Sequence, residues 1–384
     1  MSAQWREQVN QIRARLALQE SLLSAQTIAA AVSSELPLLG NAEKLEVFDE
    51  LVTHIDGLGP LDRLSKQPGV TDILVNGFSD VWFDDGHGLR RANIAWNSES
   101  ELRDFVGHLA NQASRRLDEV QPFLDAHLPS GIRLHAVIPP LSTAGTCLSL
   151  RIPQQISLSL TDLQLANMFD DQVLGILRKI VYSGLPFVIS GGTGSGKTTL
   201  LSALLSEVPH DERLLIIEDT HELKVDHPHA VGLQARNSNS EGAGEVTLRT
   251  LVRQALRMRP DRVILGEVRG AEIVDLVTAL NTGHTGGCTT IHANSANDVP
   301  ARVASLGLLA GIPVVAMNNL FATAIKVIIE LVQIKDGTRK VAGFHLIEEF
   351  EGITRVTQAV DQLGMHCDEQ TQIKFHELLE QKCR

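Results

Sequence analysis

The chain has 384 residues, 43% apolar and 4% aromatic, with 34 Lys+Arg against 46 Asp+Glu for a net charge of −12. This composition suits a globular protein of about two domains and excludes a disordered, collagen-like or disulfide-stapled chain. A pI near 5.6 argues against a general polyanion binder. Cys147, Cys288, Cys367 and Cys383 form no CxxC pair and read as reduced thiols.

In chain order, Arg6, Arg13 and Arg15 alternate with Glu7 and Glu20 without the apolar run of a secretion signal. Val9, Ile12, Leu16, Leu22 and Leu23 have helical spacing, so residues 1–56 are expected to form a helical N-terminal extension. Residues 57–152 are expected to form a smaller α+β domain. It contains short β-type runs at 73–75 and 81–83, a helix over 99–117, and strands at 133–138 and 147–152. A linker over 153–160 follows, and 161–384 alternate strand and helix. Strands are expected at 187–190, 214–217, 263–265 and 288–292, with helices over 248–258 and 271–280. Nearly continuous apolar strands of this kind belong to a parallel sheet covered on both faces. Residues 237–244 read as a polar loop. Residues 303–325 carry no charge and are long enough to span a bilayer. Gly307, Gly311, Pro313, Asn318 and Asn319 break that run, and the expectation is two packed helices without a membrane span.

The chemistry begins at Gly191-Gly192-Thr193-Gly194-Ser195-Gly196-Lys197-Thr198, which follows a strand and opens a helix as GxxxxGK[ST]. Glycines let backbone N–H groups turn towards phosphate oxygens, Lys197 reaches the β- and γ-phosphates, and the Thr198 hydroxyl ligates Mg²⁺. The apolar strand 262–266 ends in Glu267, a carboxylate able to polarise an attacking water. No Asn-Lys-x-Asp guanine reader is present. Two further polar clusters follow strands. One holds Glu218, Asp219, His221 and Glu222; the other runs from Thr282-Gly283-His284 to His292-Ala293-Asn294. His221, His227 and His229 read as structural. The HExxH pattern of a zinc site fails at Val225 and Glu380. Arg249, Arg253 and Arg257 form one helical stripe, read as a solvated or subunit-facing surface because stacking aromatics are missing nearby.

Taken with Leu256-Arg257-Met258-Arg259-Pro260-Asp261-Arg262 and Gly266-Glu267-Val268-Arg269-Gly270, these motifs resemble the secretion ATPases of the type II/type IV superfamily. Arg115-Arg116-Leu117-Asp118-Glu119, residues 136–140 and 148–151 resemble its tight-adherence (Flp/Tad) pilus branch, in an actinobacterial form. The resemblance covers about residues 50–335. It implies an α/β fold with a RecA-like P-loop NTPase C-terminal domain, a smaller N-terminal domain, and a homo-hexamer holding ATP and Mg²⁺ between the domains. Gly191, Gly192, Thr193, Gly194, Ser195, Gly196, Lys197, Thr198 and Thr199 would bind the nucleotide. Glu218 falls in the family's aspartate box, Glu267 is its Walker B glutamate, and His284 and His292 belong to its histidine box. Arg133 and Arg151 stand where relatives bring arginines to the phosphates. Thr250 replaces an expected Asp, and Ile132 interrupts a usual Gly-Ser/Thr-Arg. The implied function is a cytoplasmic motor acting through a polytopic inner-membrane platform protein, with no nucleic acid partner. An ATP-binding scaffold of negligible turnover and a conjugative, DNA-translocating ATPase are the alternatives.

Overall fold

The computed structural model of the chain describes residues 57–153, 157–236, 244–283, 286–334, 336–350, 353–361 and 368–381, with scattered positions between 32 and 48. Most of the expected N-terminal extension, the centre of the linker, most of the polar loop, and His284 therefore lie outside the described residues. The chain divides into two compact units, Met1–Gln154 and Gln155–Arg384.

Over residues 57–153, the first unit is built on an antiparallel sheet packed with a helix. A one-turn helix α1 (Asp62–Ser65) leads to β1 (Asp72–Asn76), β2 (Val81–Asp84) and β3 (Leu89–Arg91). Helix α2 (Glu99–Gln112) follows, and then β4 (Phe123–His127), β5 (Arg133–Val137) and β6 (Cys147–Arg151). The strand order is β3-β2-β1-β6-β5-β4. Alternation sets its two faces: Leu124, Ala126, Leu134, Ala136, Leu148 and Leu150 are buried, while Asp125, His135 and Ser149 between them are exposed. The buried face shares one apolar cluster with Leu102, Val106 and Leu109 of α2. Ser98 caps α2 by accepting from the Glu101 N–H at 3.2 Å. The helix stops at Gln112, short of the expected Leu117, because Ser114 enters the left-handed region (φ 53°), which no right-handed helix continues.

The second unit is a doubly covered sheet. After α3 (Leu160–Leu165) and α4 (Asp171–Ser183) come β7 (Phe187–Gly191), α5 (Lys197–Ser206), β8 (Leu214–Glu218) and β9 (Ala230–Gln234). Next are α6 (Leu248–Ala255), β10 (Arg262–Val268), α7 (Glu272–Asn281), β11 (Cys288–His292), α8 (Val299–Leu309) and α9 (Val314–Ala324). The unit closes with β12 (Val327–Gln333), β13 (Arg339–Phe350), β14 (Ile353–Asp361) and α10 (Glu369–Glu380). Strand order is β14-β13-β12-β7-β11-β10-β8-β9, parallel from β12 to β9 with β13 and β14 antiparallel at one edge. Successive strand residues feed opposite cores. Phe187, Ile189, Leu214, Ile216 and Ile264 join one cluster with α4 and α5, whereas Val188, Leu215, Ile217, Val263 and Leu265 join another with α6 to α9. Each fully buried aliphatic side chain of this kind contributes about 1.5–3 kcal/mol of transfer free energy.

The uncharged run 303–325 forms α8 and α9, which meet at Gly311 (φ 78°). No helix among the described residues is long and apolar enough to cross a membrane. The arginine stripe faces solvent as expected, with Arg253 and Arg257 exposed, and it is also paired. Arg249 and Arg253 both donate to Asp275 of α7, at 2.6 and 3.0 Å, so two of its three cations tie α6 to α7. Cys288 is buried, and burial pushes its thiol up to about 12, which leaves it inert as a thiolate nucleophile.

Candidate functional site

Four neighbouring parallel strands, β7, β11, β10 and β8, end together, and their C-terminal ends carry Gly191, His292, Glu267 and Glu218. Open α/β sheets bind ligands at such ends.

The loop after β7 is shaped by close packing. A methyl group at Gly191 would lie 2.6 Å from both the Leu331 carbonyl and Ser195 Oγ, so only glycine lets β7 turn away from β12 here. Gly194 and Gly196 take left-handed φ values of 74° and 93°. Ser195 is buried and donates from Oγ to the Gly192 carbonyl at 3.0 Å. Lys197 Nζ lies inside this turn and donates to the carbonyls of Gly191 (2.9 Å) and Gly192 (2.8 Å). Burial depresses the Lys197 ammonium below its ordinary range. The Glu267 carboxylate pulls it back up, and the Arg269 guanidinium adds to the depression. Lys197, Thr198 and Thr199 form the first turn of α5, whose free N–H groups favour an anion.

Glu267 is aimed by a local irregularity. The β10–β11 register shifts between Leu265 and Val268, and the buried Thr290 hydroxyl donates to the Gly266 carbonyl at 2.8 Å. A bulge of this kind turns a side chain out of the strand's alternation. Glu267 Oε2 accepts from Arg269 Nη2 at 2.6 Å and Nε at 3.0 Å. Arg269, one residue past the end of β10, was not among the candidates read from the sequence.

Glu218 is buried on the neighbouring strand. Its Oε1 accepts from the N–H groups of Glu222 (3.0 Å) and Leu223 (2.9 Å), and His221 Nδ1 lies 3.3 Å from Oε2. Burial raises its carboxyl, against the lowering effect of these hydrogen bonds and of His221. A methyl group at Gly266 would lie 2.8 Å from Glu218 Cγ, so the two residues interlock directly behind Glu267. Gly266→Ala is therefore expected to cost about 1–3 kcal/mol by overpacking. The denaturant midpoint should fall in the single variant, and the same substitution should cost less in a Glu218→Ala background, where the clash is gone.

His292 ends β11 in register with Gly191 and is exposed. Two unforeseen side chains border the loop from the β12–β13 hairpin. Arg339 Cδ lies 3.3 Å from where a methyl at Gly196 would be, and Gln333 Oε1 lies 3.8 Å from the same position at Gly194. Among the described residues no group of three His, Cys, Asp or Glu side chains is placed to hold a metal ion. A Mg²⁺ suited to this site would take Thr198 Oγ1, phosphate oxygens and water, the usual mix for that ion.

The two arginine candidates belong to the first unit. Arg133 and Arg151 are cross-strand partners on β5 and β6, and Arg151 faces Asp72 of β1 on its other side. Arg133 makes a forked pair with Asp125, Nε to Oδ1 at 3.2 Å and Nη2 to Oδ2 at 2.7 Å. The Arg133 hydrogen bond holds the Asp125 carboxyl below its usual range.

Residues 54–381 match the family model described as type II/IV secretion system protein. A Mycobacterium tuberculosis protein provisionally named for conjugal transfer is 46% identical over 321 residues, covering 82% of this chain and 91% of the relative. The PtlH type IV secretion system protein of Bordetella pertussis is 34% identical over 271 residues, covering 64% of this chain and 78% of its own. Among solved structures, the pilus retraction motor PilT with bound ADP aligns with a TM-score of 0.50 at 16% identity, covering 83% of this chain and 86% of that one. The ATPase DotB of Legionella pneumophila aligns with a TM-score of 0.50 at 19% identity, covering 82% and 84%. These structures share the fold, a RecA-like C-terminal domain with a smaller domain before it.

Proposed function

The chain belongs to the type II/IV secretion system protein family, and on that premise we propose that it is an ATP-hydrolysing motor. Working as a homo-hexamer with ATP and Mg²⁺, it would power a Flp/Tad-type pilus or a related secretion machine. We place it at the cytoplasmic face of the membrane, attached through a polytopic platform protein. The observation that carries the reading is the convergence of the Lys197 loop and Glu267 at the ends of one sheet, where Lys197 feels the Glu267 charge directly. A phosphate cradle alone binds nucleotide; a carboxylate beside it supplies a group to polarise water. In this reading Lys197 exchanges the two loop carbonyls for phosphate oxygens, and Glu218 acts on Glu267 through Gly266.

Conjugal transfer is the second reading, favoured by the name of the 46%-identical relative and of the Rhizobium radiobacter TrbB protein, 32% identical over 242 residues. Direct DNA handling is disfavoured by the pairing of Arg249 and Arg253 with Asp275. The deciding experiment is Mg²⁺-dependent phosphate release against a Lys197→Ala control, over a concentration series with size-resolved oligomers. A motor releases phosphate faster on ring formation and not at all in the control. Turnover stimulated by DNA, with a steep salt dependence, would instead establish the second reading. Nucleotide binding without turnover in every oligomeric state, and with membranes added, would leave a scaffold.

A further inference from the structure

We propose that Arg269 is a positioning residue that holds Glu267 while the site is empty and releases it when MgATP binds. The inference rests on the motor reading and assigns a role to a side chain that this reading does not use.

Three observations carry it. First, both donating nitrogens of Arg269 converge on one carboxylate oxygen, Glu267 Oε2, at 2.6 and 3.0 Å. The group meant to meet water and Mg²⁺ is thus neutralised by its own strand. Second, the backbone under the guanidinium is fixed. Buried Glu272 accepts at Oε1 from the N–H groups of both Arg269 (2.7 Å) and Gly270 (2.6 Å), and a methyl at Gly270 would lie 2.9 Å from Glu272 Oε2. The side chain can swing while its anchor stays put. Third, a second set of acids is within electrostatic reach of Arg269: Asp219 and Glu222, on the turn after β8. That turn is itself held by the Glu222 and Leu223 N–H bonds to Glu218. A guanidinium leaving Glu267 therefore moves from one carboxylate towards others.

The pair is also weak enough to break. Arg269 and Glu267 side chains are 55% and 32% exposed, and half-exposed pairs contribute little in water. A doubly charged cation seated against the phosphates would compete with such a partner, and both charges of the pair act on Lys197.

The test reads the Mg²⁺ concentration needed for half-maximal binding of a fluorescent ATP analogue to the full chain. Arg269→Gln removes the competitor, so the Mg²⁺ midpoint should fall by up to about fivefold, the upper end of what an exposed ion pair contributes. In a Glu267→Gln background the same substitution should move nothing further. Arg269→Lys, which keeps the charge but loses the fork, should fall between wild type and Gln. An unmoved midpoint in Arg269→Gln overturns the proposal. So does a loss of analogue binding equal in both backgrounds, which would make Arg269 a direct phosphate ligand. Wild-type protein that binds no nucleotide would overturn the motor reading as well, whereas bound nucleotide with an unmoved midpoint sinks only the role of Arg269.

Discussion

Glu267→Gln should bind ATP and fail to hydrolyse it, with phosphate release reduced about 10²- to 10⁴-fold, the range for losing a positioned base. The amide occupies the same volume, and its oxygen can still accept from Arg269, which holds the native side chain at 2.6 and 3.0 Å. The bulge at Gly266 and the Thr290 hydroxyl bond to the Gly266 carbonyl involve no atom of the Glu267 side chain, so the substitution leaves them intact. What disappears is a negative charge and a proton acceptor. Single-turnover phosphate release and binding of a fluorescent analogue, measured on one preparation, separate the two effects. Retention of turnover within tenfold would remove Glu267 from the chemistry, and lost binding would show that its charge serves the phosphates' Mg²⁺.

The site's parallel strands were legible in the sequence for one physical reason. A strand buried on both faces is apolar at every position, as in Phe187-Val188-Ile189 and Leu214-Leu215-Ile216-Ile217. The phosphate loop was legible because Gly191, Gly194 and Gly196 take backbone conformations that other residues rarely adopt. Strands β12 to β14 were not among the expected strands, and strands β4 and β9 escaped the reading as well. Ala126, Ala230 and Gly232 weaken the apolar signal of both, and β9 is an edge strand whose residues are only partly buried or exposed. Arg269 escaped for another reason. Its meaning lies in a contact two residues back along a bulged strand and in acids from a different strand end. Composition and spacing carry no trace of such a meeting. The arginine stripe was legible as a solvent-facing side of α6, but periodicity could not show that Asp275 of α7 would pair with two of its members.

Arg133→Ala and Arg151→Ala are each expected to lower turnover about 10³- to 10⁵-fold while sparing nucleotide binding, the signature of arginines that act on charge developing at transfer. This role comes from the resemblance of their positions, and the geometry of the first unit makes it specific. The two residues are register partners on adjacent strands, so both guanidiniums leave one end of one sheet face. Asp125 holds Arg133 in a fork and keeps a planar, oriented donor at that edge instead of a freely rotating chain. Lysine cannot reproduce that fork, so Arg133→Lys should rescue little although the charge is kept. Because they are neighbours, the double variant should lose less than the product of the single losses. If the arginines act on the nucleotide of another copy, wild-type turnover per subunit will climb with protein concentration, and mixing each variant with Lys197→Ala will restore some activity. Turnover per subunit that is flat with concentration and undiminished in both variants would place the transition-state cation elsewhere, with Arg269 and Arg339 the next side chains to substitute.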